Sequence, residues 1–286
     1  MKAPCIAQRE VTLHILKTFH LSMRKKMGQN FLIDSSIIDG IVTAAELNPA
    51  DHVLEIGPGI GTLTQGLAES GAAVVAVELD KKLVEVLGKT LADYDNVRIV
   101  QGDILKVDIS QEMSVAPYKV VANLPYYITT PIIMKLLEER LPISLLVTMI
   151  QKEVALRMIA SPGSKDYGAL SVAVQYYTEP EIMFVVPPAS FIPAPKVHSA
   201  VLRCRIRREP PVAVTSETDF FKVVRAAFCQ RRKTLGNSLQ GGSLPAALVA
   251  SMLEQTGIDG KRRGETLSLA EFADLANVYT RLILVK

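Results

Sequence analysis

Short, strand-like runs, apolar at most positions, recur through the first half of the chain, at residues 53–56, 73–78, 97–101, 119–123 and 144–150. A mostly apolar run of this length, rather than strict alternation, is the pattern of a strand buried on both faces. Between the runs, apolar residues return at three- and four-residue spacing over 37–47, 62–69 and 81–91, which predicts helices with one buried face. Strand and helix in alternation predict a parallel sheet covered by helices on both sides. Farther along, 170–177 and 197–206 read as two more strands. The connection between them carries Pro187, Pro188, Pro193 and Pro195 and leaves no room for a helical crossover, so an antiparallel final pair is expected. Glu209-Pro210-Pro211 reads as a linker. Beyond it the pattern is helical over 220–229, 244–256 and 269–275, with a loop at Gly241-Gly242. The expected architecture is α/β, with a sheet domain over residues 1–208 and a small helical domain over 209–286.

Composition narrows the class. A chain of 286 residues, 49% apolar, suits one large and one small domain and excludes a disordered chain. No apolar run approaches the roughly 20 residues needed to span a bilayer. The N-terminal apolar stretch is broken by Glu10, His14 and Lys17, and no small-residue cleavage pattern follows, so a signal peptide is not expected and a cytoplasmic location is. Cys5, Cys204 and Cys229 are scattered and odd in number, as in a reducing compartment. His14, His20, His52 and His198 lack metal-ligand spacing with them, and no metal is expected. The net charge of +3 hides an uneven distribution. Residues 203–286 carry 14 Lys and Arg against 8 Asp and Glu, whereas the remainder carries 18 against 21. A basic final third suits a nucleic-acid-facing module, although an ordinary solvated helical surface would look the same.

The candidate chemistry lies where strands end. In an open parallel sheet, ligands bind outside the carboxyl ends of the strands. Gly57, Gly59 and Gly61 end the first strand, in Glu55-Ile56-Gly57-Pro58-Gly59-Ile60-Gly61. Dinucleotide sites favour Gly-x-Gly-x-x-Gly, so this spacing tilts away from NAD without excluding it. Glu78 ends the second strand about twenty residues on, where a carboxylate accepts from ribose hydroxyls. Asp103 ends the third and suits an adenine amino group. Any one of these acids is more often a solvated loop residue; in strand order they point to a nucleoside-containing cofactor. The ribose acid suits S-adenosylmethionine and NAD equally, and the fourth strand decides between them. It ends in Asn123-Leu124-Pro125-Tyr126. The Asn123 side-chain oxygen and the Leu124 carbonyl can accept both protons of an exocyclic base amine, and the Tyr126 ring can stack on the base. By itself the tetrad would be a proline turn; with the glycine cluster it points to methyl transfer to nitrogen.

At this point the chain resembles the ribosomal RNA adenine-N6 dimethyltransferases, most closely the bacterial small-subunit (16S) enzymes. The resemblance runs from about residue 25 to the C-terminus. It includes Gly28-Gln29-Asn30-Phe31-Leu32, the glycine cluster, Gly102-Asp103, Asn123-Leu124-Pro125-Tyr126, Gln151-Lys152-Glu153-Val154-Ala155 and Tyr167-Gly168-Ala169-Leu170-Ser171. It continues through Phe191-Ile192-Pro193-Ala194-Pro195-Lys196-Val197, the segment 228–237, and Arg263-Gly264-Glu265-Thr266-Leu267-Ser268.

The resemblance implies a class I (Rossmann-like) S-adenosylmethionine-dependent methyltransferase sheet with a small helical C-terminal domain. It also implies roles. Asn30 and Leu32 close over the methionyl part of the cofactor, in a segment that otherwise reads as a helix cap with Phe31 in the core. Gly57 and Gly59 lie against the cofactor, Glu78 holds the ribose and Asp103 the adenine. Asn123 stands between cofactor and base, and Phe191 stacks opposite Tyr126, although core packing beside the prolines is an equal reading. Arg231, Arg232 and Lys233 would contact RNA phosphates, as would Lys261-Arg262-Arg263, while Arg203, Arg205 and Arg207 share one face of the last strand. The implied activity is dimethylation at N6 of two adjacent adenines near the 3′ end of 16S rRNA, in the small subunit or its precursor, by a monomer with a role in subunit biogenesis. The rivals are a large-subunit rRNA adenine methyltransferase of the macrolide-resistance type and an assembly factor acting by binding. The string from Asn123 to Pro131 and the 228–237 segment favour the small-subunit enzyme.

Overall fold

The computed structural model describes residues 4–21 and 30–284; Gly28, Gln29 and the basic triplet Arg24-Lys25-Lys26 lie outside the described residues. The chain opens with α1 (Arg9–Thr18), a two-residue strand β1 (Phe31–Leu32) and α2 (Ser35–Ala44). Asp34 starts α2 by accepting the Ser36 N–H at 3.1 Å, an N-cap that satisfies an otherwise orphaned donor. Strands and helices then alternate: β2 (His52–Ile56), α3 (Thr62–Glu69), β3 (Ala73–Glu78), α4 (Lys81–Thr90), β4 (Val97–Gln101), α5 (Ile109–Glu112), β5 (Tyr118–Asn123), α6 (Thr129–Glu138) and β6 (Ile143–Gln151). There follow α7 (Lys152–Met158), α8 (Ala169–Tyr177), β7 (Thr178–Val186), β8 (Phe191–Ile192) and β9 (Ser199–Ile206). The final helices are α9 (Glu217–Phe228), α10 (Leu235–Gly241), α11 (Ala246–Thr256) and α12 (Leu269–Leu284).

Seven strands form one sheet in the order β4-β3-β2-β5-β6-β9-β7. The pairs from β4 through β6 are parallel, and β9 joins β6 antiparallel, with Val147 opposite Arg203. The chain lays β3 and β4 to one side of β2 and then crosses to place β5 on the other. The order therefore reverses between β2 and β5, where Ile56 lies opposite Ala122. Such a switch point opens a crevice, because the two connecting loops leave in opposite directions. Val53, Val74, Val121, Val147 and Val201 from five strands join Ile38, Ile41, Leu63 and Leu67 in one apolar cluster. Pro180 lies in β7, the last strand in the order, where an edge position tolerates the missing N–H.

One expectation is corrected. Residues 170–177 form α8, not a strand; the strand that precedes β9 is β7, and β9 lies between it and β6, to which it is antiparallel. Nearly every side chain from Ser171 to Tyr177 is buried. A helix buried on all sides shows the same unbroken apolar run as a strand, and periodicity cannot separate the two. By internal packing the chain divides into two compact units. One unit comprises Met1–Ala155 with Pro180–Ile206, the other Leu156–Glu179 with Arg207–Lys286. Aromatic packing accounts for the grouping of 156–179: the ring of Tyr176 stacks on Phe220 at 4.9 Å and that of Tyr177 on Phe221 at 5.5 Å. No helix among the described residues is long and apolar enough to cross a membrane. No group of three or more His, Cys, Asp or Glu among them could hold a metal ion.

Candidate functional site

The glycine turn after β2 sets one wall of the crevice. Gly57 and Gly59 have φ of 69° and 64°, left-handed values that strain any residue with a Cβ. The turn is held from β3: the Gly57 N–H donates to the Val77 carbonyl at 3.0 Å, and the Gly59 N–H donates to Glu78 Oε2 at 3.1 Å. The other oxygen of Glu78 accepts the Asp80 N–H at 2.9 Å. Each carboxylate oxygen keeps acceptor capacity beyond its one bond. Burial raises the Glu78 pKa above the usual carboxylate value, and the N–H groups of Asp80 and Gly59 partly oppose the rise.

Asp103 lies one residue past Gly102, whose N–H donates to the Glu78 carbonyl at 2.9 Å. Its Oδ1 accepts the Leu105 N–H at 3.0 Å, and Lys106 Nζ stands 3.6 Å from Oδ2. Asn30, Leu32, Gly57, Gly59, Glu78, Asp103, Asn123, Leu124 and Tyr126 all line a single cleft. The fold thus brings together residues that span more than ninety positions of sequence.

The opposite wall comes from the loop after β5. The Leu124 N–H donates to the Met149 carbonyl at 3.1 Å. The Pro125 carbonyl accepts from both the Ile128 N–H at 3.2 Å and the Thr129 hydroxyl at 3.1 Å, which closes a turn over Tyr126 and Tyr127. The Tyr126 hydroxyl is 2.7 Å from Ser199 Oγ on β9. Burial raises the pKa of Tyr126, so it stays neutral. By contrast, the side-chain amide of Asn123 and the carbonyl of Leu124 make no hydrogen bond to any described residue. Two adjacent residues that line the cleft therefore carry acceptors without a partner among the described residues, on a backbone fixed from both sides.

Phe191 is placed elsewhere. It is 3% exposed, its strand β8 pairs with β1 so that it faces Leu32, and its ring belongs to the apolar cluster under the sheet. The ring is packed among apolar neighbours, which is the core-packing reading of this residue. Phe31 is likewise buried.

The basic candidates divide in the same way. Arg231, Arg232 and Lys233 are exposed, and Arg231 donates to the Lys165 carbonyl. Arg232 and Lys233 have no side-chain partner among the described residues. Arg262 is committed to Glu271 and Arg263 lies 3.8 Å from Glu265. On β9, Arg203 bridges Glu46 at 3.0 Å and Glu181 at 2.8 Å, and Arg205 also bonds Glu46. Arg207, just past the strand, pairs with Glu179 at 2.8 Å. These three arginines are neutralised by carboxylates, which leaves them poor phosphate ligands.

Sequence reasoning passed over two site residues. Glu55, in β2, lines the cleft with 1% of its surface exposed and one oxygen, Oε2, without a hydrogen bond. Burial pushes its pKa up to about 8, and the charge of Glu78 adds to the rise; the Thr64 hydroxyl, near but outside hydrogen-bonding geometry, opposes it only in part. Its signal was available, a carboxylate inside an otherwise apolar strand. Ser199, the tether of Tyr126, carried no signal, because its partner is 73 residues away.

Comparison with known proteins sets this geometry in context. The model of the family described as ribosomal RNA adenine dimethylase matches residues 20–281. The ribosomal RNA small subunit methyltransferase A of Alkaliphilus metalliredigens is 52% identical over 270 residues, covering 92% of this chain and 94% of that protein. The protein of the same name from Geobacillus kaustophilus is 52% identical over 280 residues, covering 95% and 96%. Among solved structures, a dimethyladenosine transferase from Plasmodium falciparum superposes with a TM-score of 0.72 at 25% identity, over 86% of this chain and 95% of that one. The 23S rRNA methyltransferase ErmE gives 0.66 at 29% identity, over 88% and 100%.

Proposed function

The chain belongs to the ribosomal RNA adenine dimethylase family, and we propose that it methylates N6 of two adjacent adenines near the 3′ end of 16S rRNA, in the small ribosomal subunit or its precursor. It is an S-adenosylmethionine-dependent rRNA adenine dimethyltransferase, with the α/β sheet of class I methyltransferases. The large-subunit alternative is not favoured, because relatives of about half identity over nearly the whole chain carry the small-subunit name. A monomer working in the cytoplasm, without metal, completes the reading.

The cleft suits the cofactor. The glycine turn presents backbone without a Cβ, so a ligand can approach it closely. Glu78 offers carboxylate oxygens at the ribose position, Asp103 an acceptor for the adenine amine, and Asn30 and Leu32 line the methionyl end. When bound, S-adenosylmethionine supplies a methyl group on a sulfonium leaving group.

The chain's own part is orientation. The adenine amine is a weak nucleophile, because its lone pair is delocalised into the ring. Accepting its two protons at the Asn123 side-chain oxygen and the Leu124 carbonyl favours a pyramidal nitrogen with the lone pair exposed. The Pro125–Ile128 turn fixes those acceptors, and alignment of this kind lowers a barrier without acid or base chemistry. No general base is assigned. Tyr126, held by Ser199, offers its ring to a base taken out of the stack, as chemistry on a base edge demands. Among the described residues, the side chains of Arg232, Lys233 and Lys261 are exposed and make no hydrogen bond or ion pair, which suits them to phosphate contacts.

The observation that carries the reading is the unpartnered pair of acceptors at Asn123 and Leu124, beside the glycine turn at the switch point. Incubation with radiolabelled S-adenosylmethionine and each purified ribosomal subunit, followed by mapping of modified bases, tests it. Label in adjacent small-subunit adenines is expected; label confined to the large subunit would reject the assignment.

A further inference from the structure

The chain has eight phenylalanines, eight tyrosines and no tryptophan. All sixteen rings fall within the described residues, and fifteen are buried or half-buried. The exception is Tyr127, 56% exposed at the rim of the cleft. Its hydroxyl has no hydrogen-bond partner among the described residues, and its ring packs against no other ring there.

The exposure is imposed by the backbone. Tyr126 and Tyr127 are the two central residues of the turn closed by the Ile128 N–H on the Pro125 carbonyl. Tyr126 is tied to β9 through Ser199, and Ile128 is the N-cap of α6, so both flanks of Tyr127 are fixed. With its neighbour turned inward to Ser199, the second ring stands out at the lip. A large ring held rigidly in water contributes little to folding, whereas it loses little freedom when a flat partner covers it.

We propose that Tyr127 is a stacking platform for the nucleotide adjoining the target adenine, and so a positioning residue for methylation of adjacent bases. The inference rests on the functional reading above. With one adenine drawn into the cleft against Tyr126, its covalent neighbour is left at the rim, unstacked on one face. Tyr127 is the next residue along the same turn, and with Phe191 packed in the core it is the one open ring at that rim. Stacking on an aromatic is tolerant of base identity, so the same platform serves whichever of the two adenines is outside.

The test uses the full-length enzyme and small ribosomal subunits that lack the modification. Tyr127→Ala should raise KM for the subunits by about five- to hundredfold, the range that loss of one base stack implies. Cofactor affinity, the melting temperature and kcat at saturating subunit should stay near wild type. Tyr127→Phe should restore KM, because the platform needs the ring and not the hydroxyl. A short single-stranded RNA with 2-aminopurine beside the target adenine supplies a spectroscopic readout: its fluorescence should be quenched by the wild-type enzyme and not by Tyr127→Ala. An unchanged KM with equal quenching in both proteins overturns the platform while leaving the functional reading intact. A higher KM that Tyr127→Phe fails to restore overturns it too, by pointing to the hydroxyl. Absence of any methyl transfer by the wild-type enzyme overturns the functional reading and this inference together.

Discussion

Glu55→Gln should change how stability depends on pH. The carboxyl is 1% exposed, and its pKa rises from 4.5 to about 8, chiefly through burial. Between those two values the folded protein keeps a proton that the unfolded chain has released. Stability is therefore complete below about pH 4.5 and falls as pH rises toward 8, at about 1.4 kcal/mol per pH unit. Between pH 6 and pH 9 roughly two units of that window are crossed, so the wild-type enzyme should lose about 3 kcal/mol from this group alone. Glutamine has nearly the same shape and does not titrate, so this loss disappears. The variant should match wild type below about pH 4.5, exceed it by about 2 kcal/mol at pH 6 and by about 5 kcal/mol at pH 9. Glu78, whose pKa is also raised by burial, is retained in both proteins and contributes the same slope to each. Urea unfolding of both proteins at several pH values measures the difference directly. Parallel curves from pH 6 to 9 would refute the argument, since they would mean that Glu55 is already ionised in the folded state.

Four further outcomes are expected. Asn123→Ala should abolish methyl transfer with the melting temperature unchanged, because its amide holds no structural hydrogen bond; activity assays beside thermal melts check both halves. Glu78→Ala should weaken S-adenosylmethionine binding about ten- to hundredfold, the effect of losing hydrogen bonds to a charged acceptor worth about 1.5–3 kcal/mol, as read by calorimetry. Replacing Arg232 and Lys233 with alanine should flatten the salt dependence of RNA binding by about 0.7–0.9 in log–log slope per lost phosphate contact, with the melting temperature retained. Arg231→Ala should instead lower the melting temperature, since its guanidinium holds the Lys165 carbonyl. A salt slope untouched by the double substitution would remove these side chains from RNA binding.

The legible parts of the fold were those with a local cause. The runs that became β2, β3, β5 and β6 were visible because burial on both faces demands largely apolar sequence, and that of β4, an edge strand without a buried residue, through its β-branched Val97, Ile99 and Val100. The two helices after β2 and β3 were visible because one buried face imposes a period. Helix α8 was misread for the converse reason: burial on every side erases the period, and only its neighbours Phe220 and Phe221 reveal what it packs against. The site acids were legible because strand ends are recognisable and each acid sits at one. The packing of Phe191 was not legible, because its neighbours, Leu32 on β1 and the apolar cluster, lie more than 150 residues upstream or on other strands.

The sequence by itself determined which chemical groups are available and in what order: a glycine turn, acids at successive strand ends, and an asparagine followed by proline and tyrosine. Those features are short-range, and backbone geometry and strand periodicity dictate them within a few residues. The tertiary structure alone decided which groups are free to act. It sets Arg203, Arg205 and Arg207 against carboxylates and leaves Arg232 and Lys233 open. It buries Phe191 and exposes Tyr127, and it encloses Glu55 without a partner for one oxygen. A side chain's charge state and availability depend on what lies within a few ångströms, and those neighbours come from distant parts of the chain that only the fold brings together.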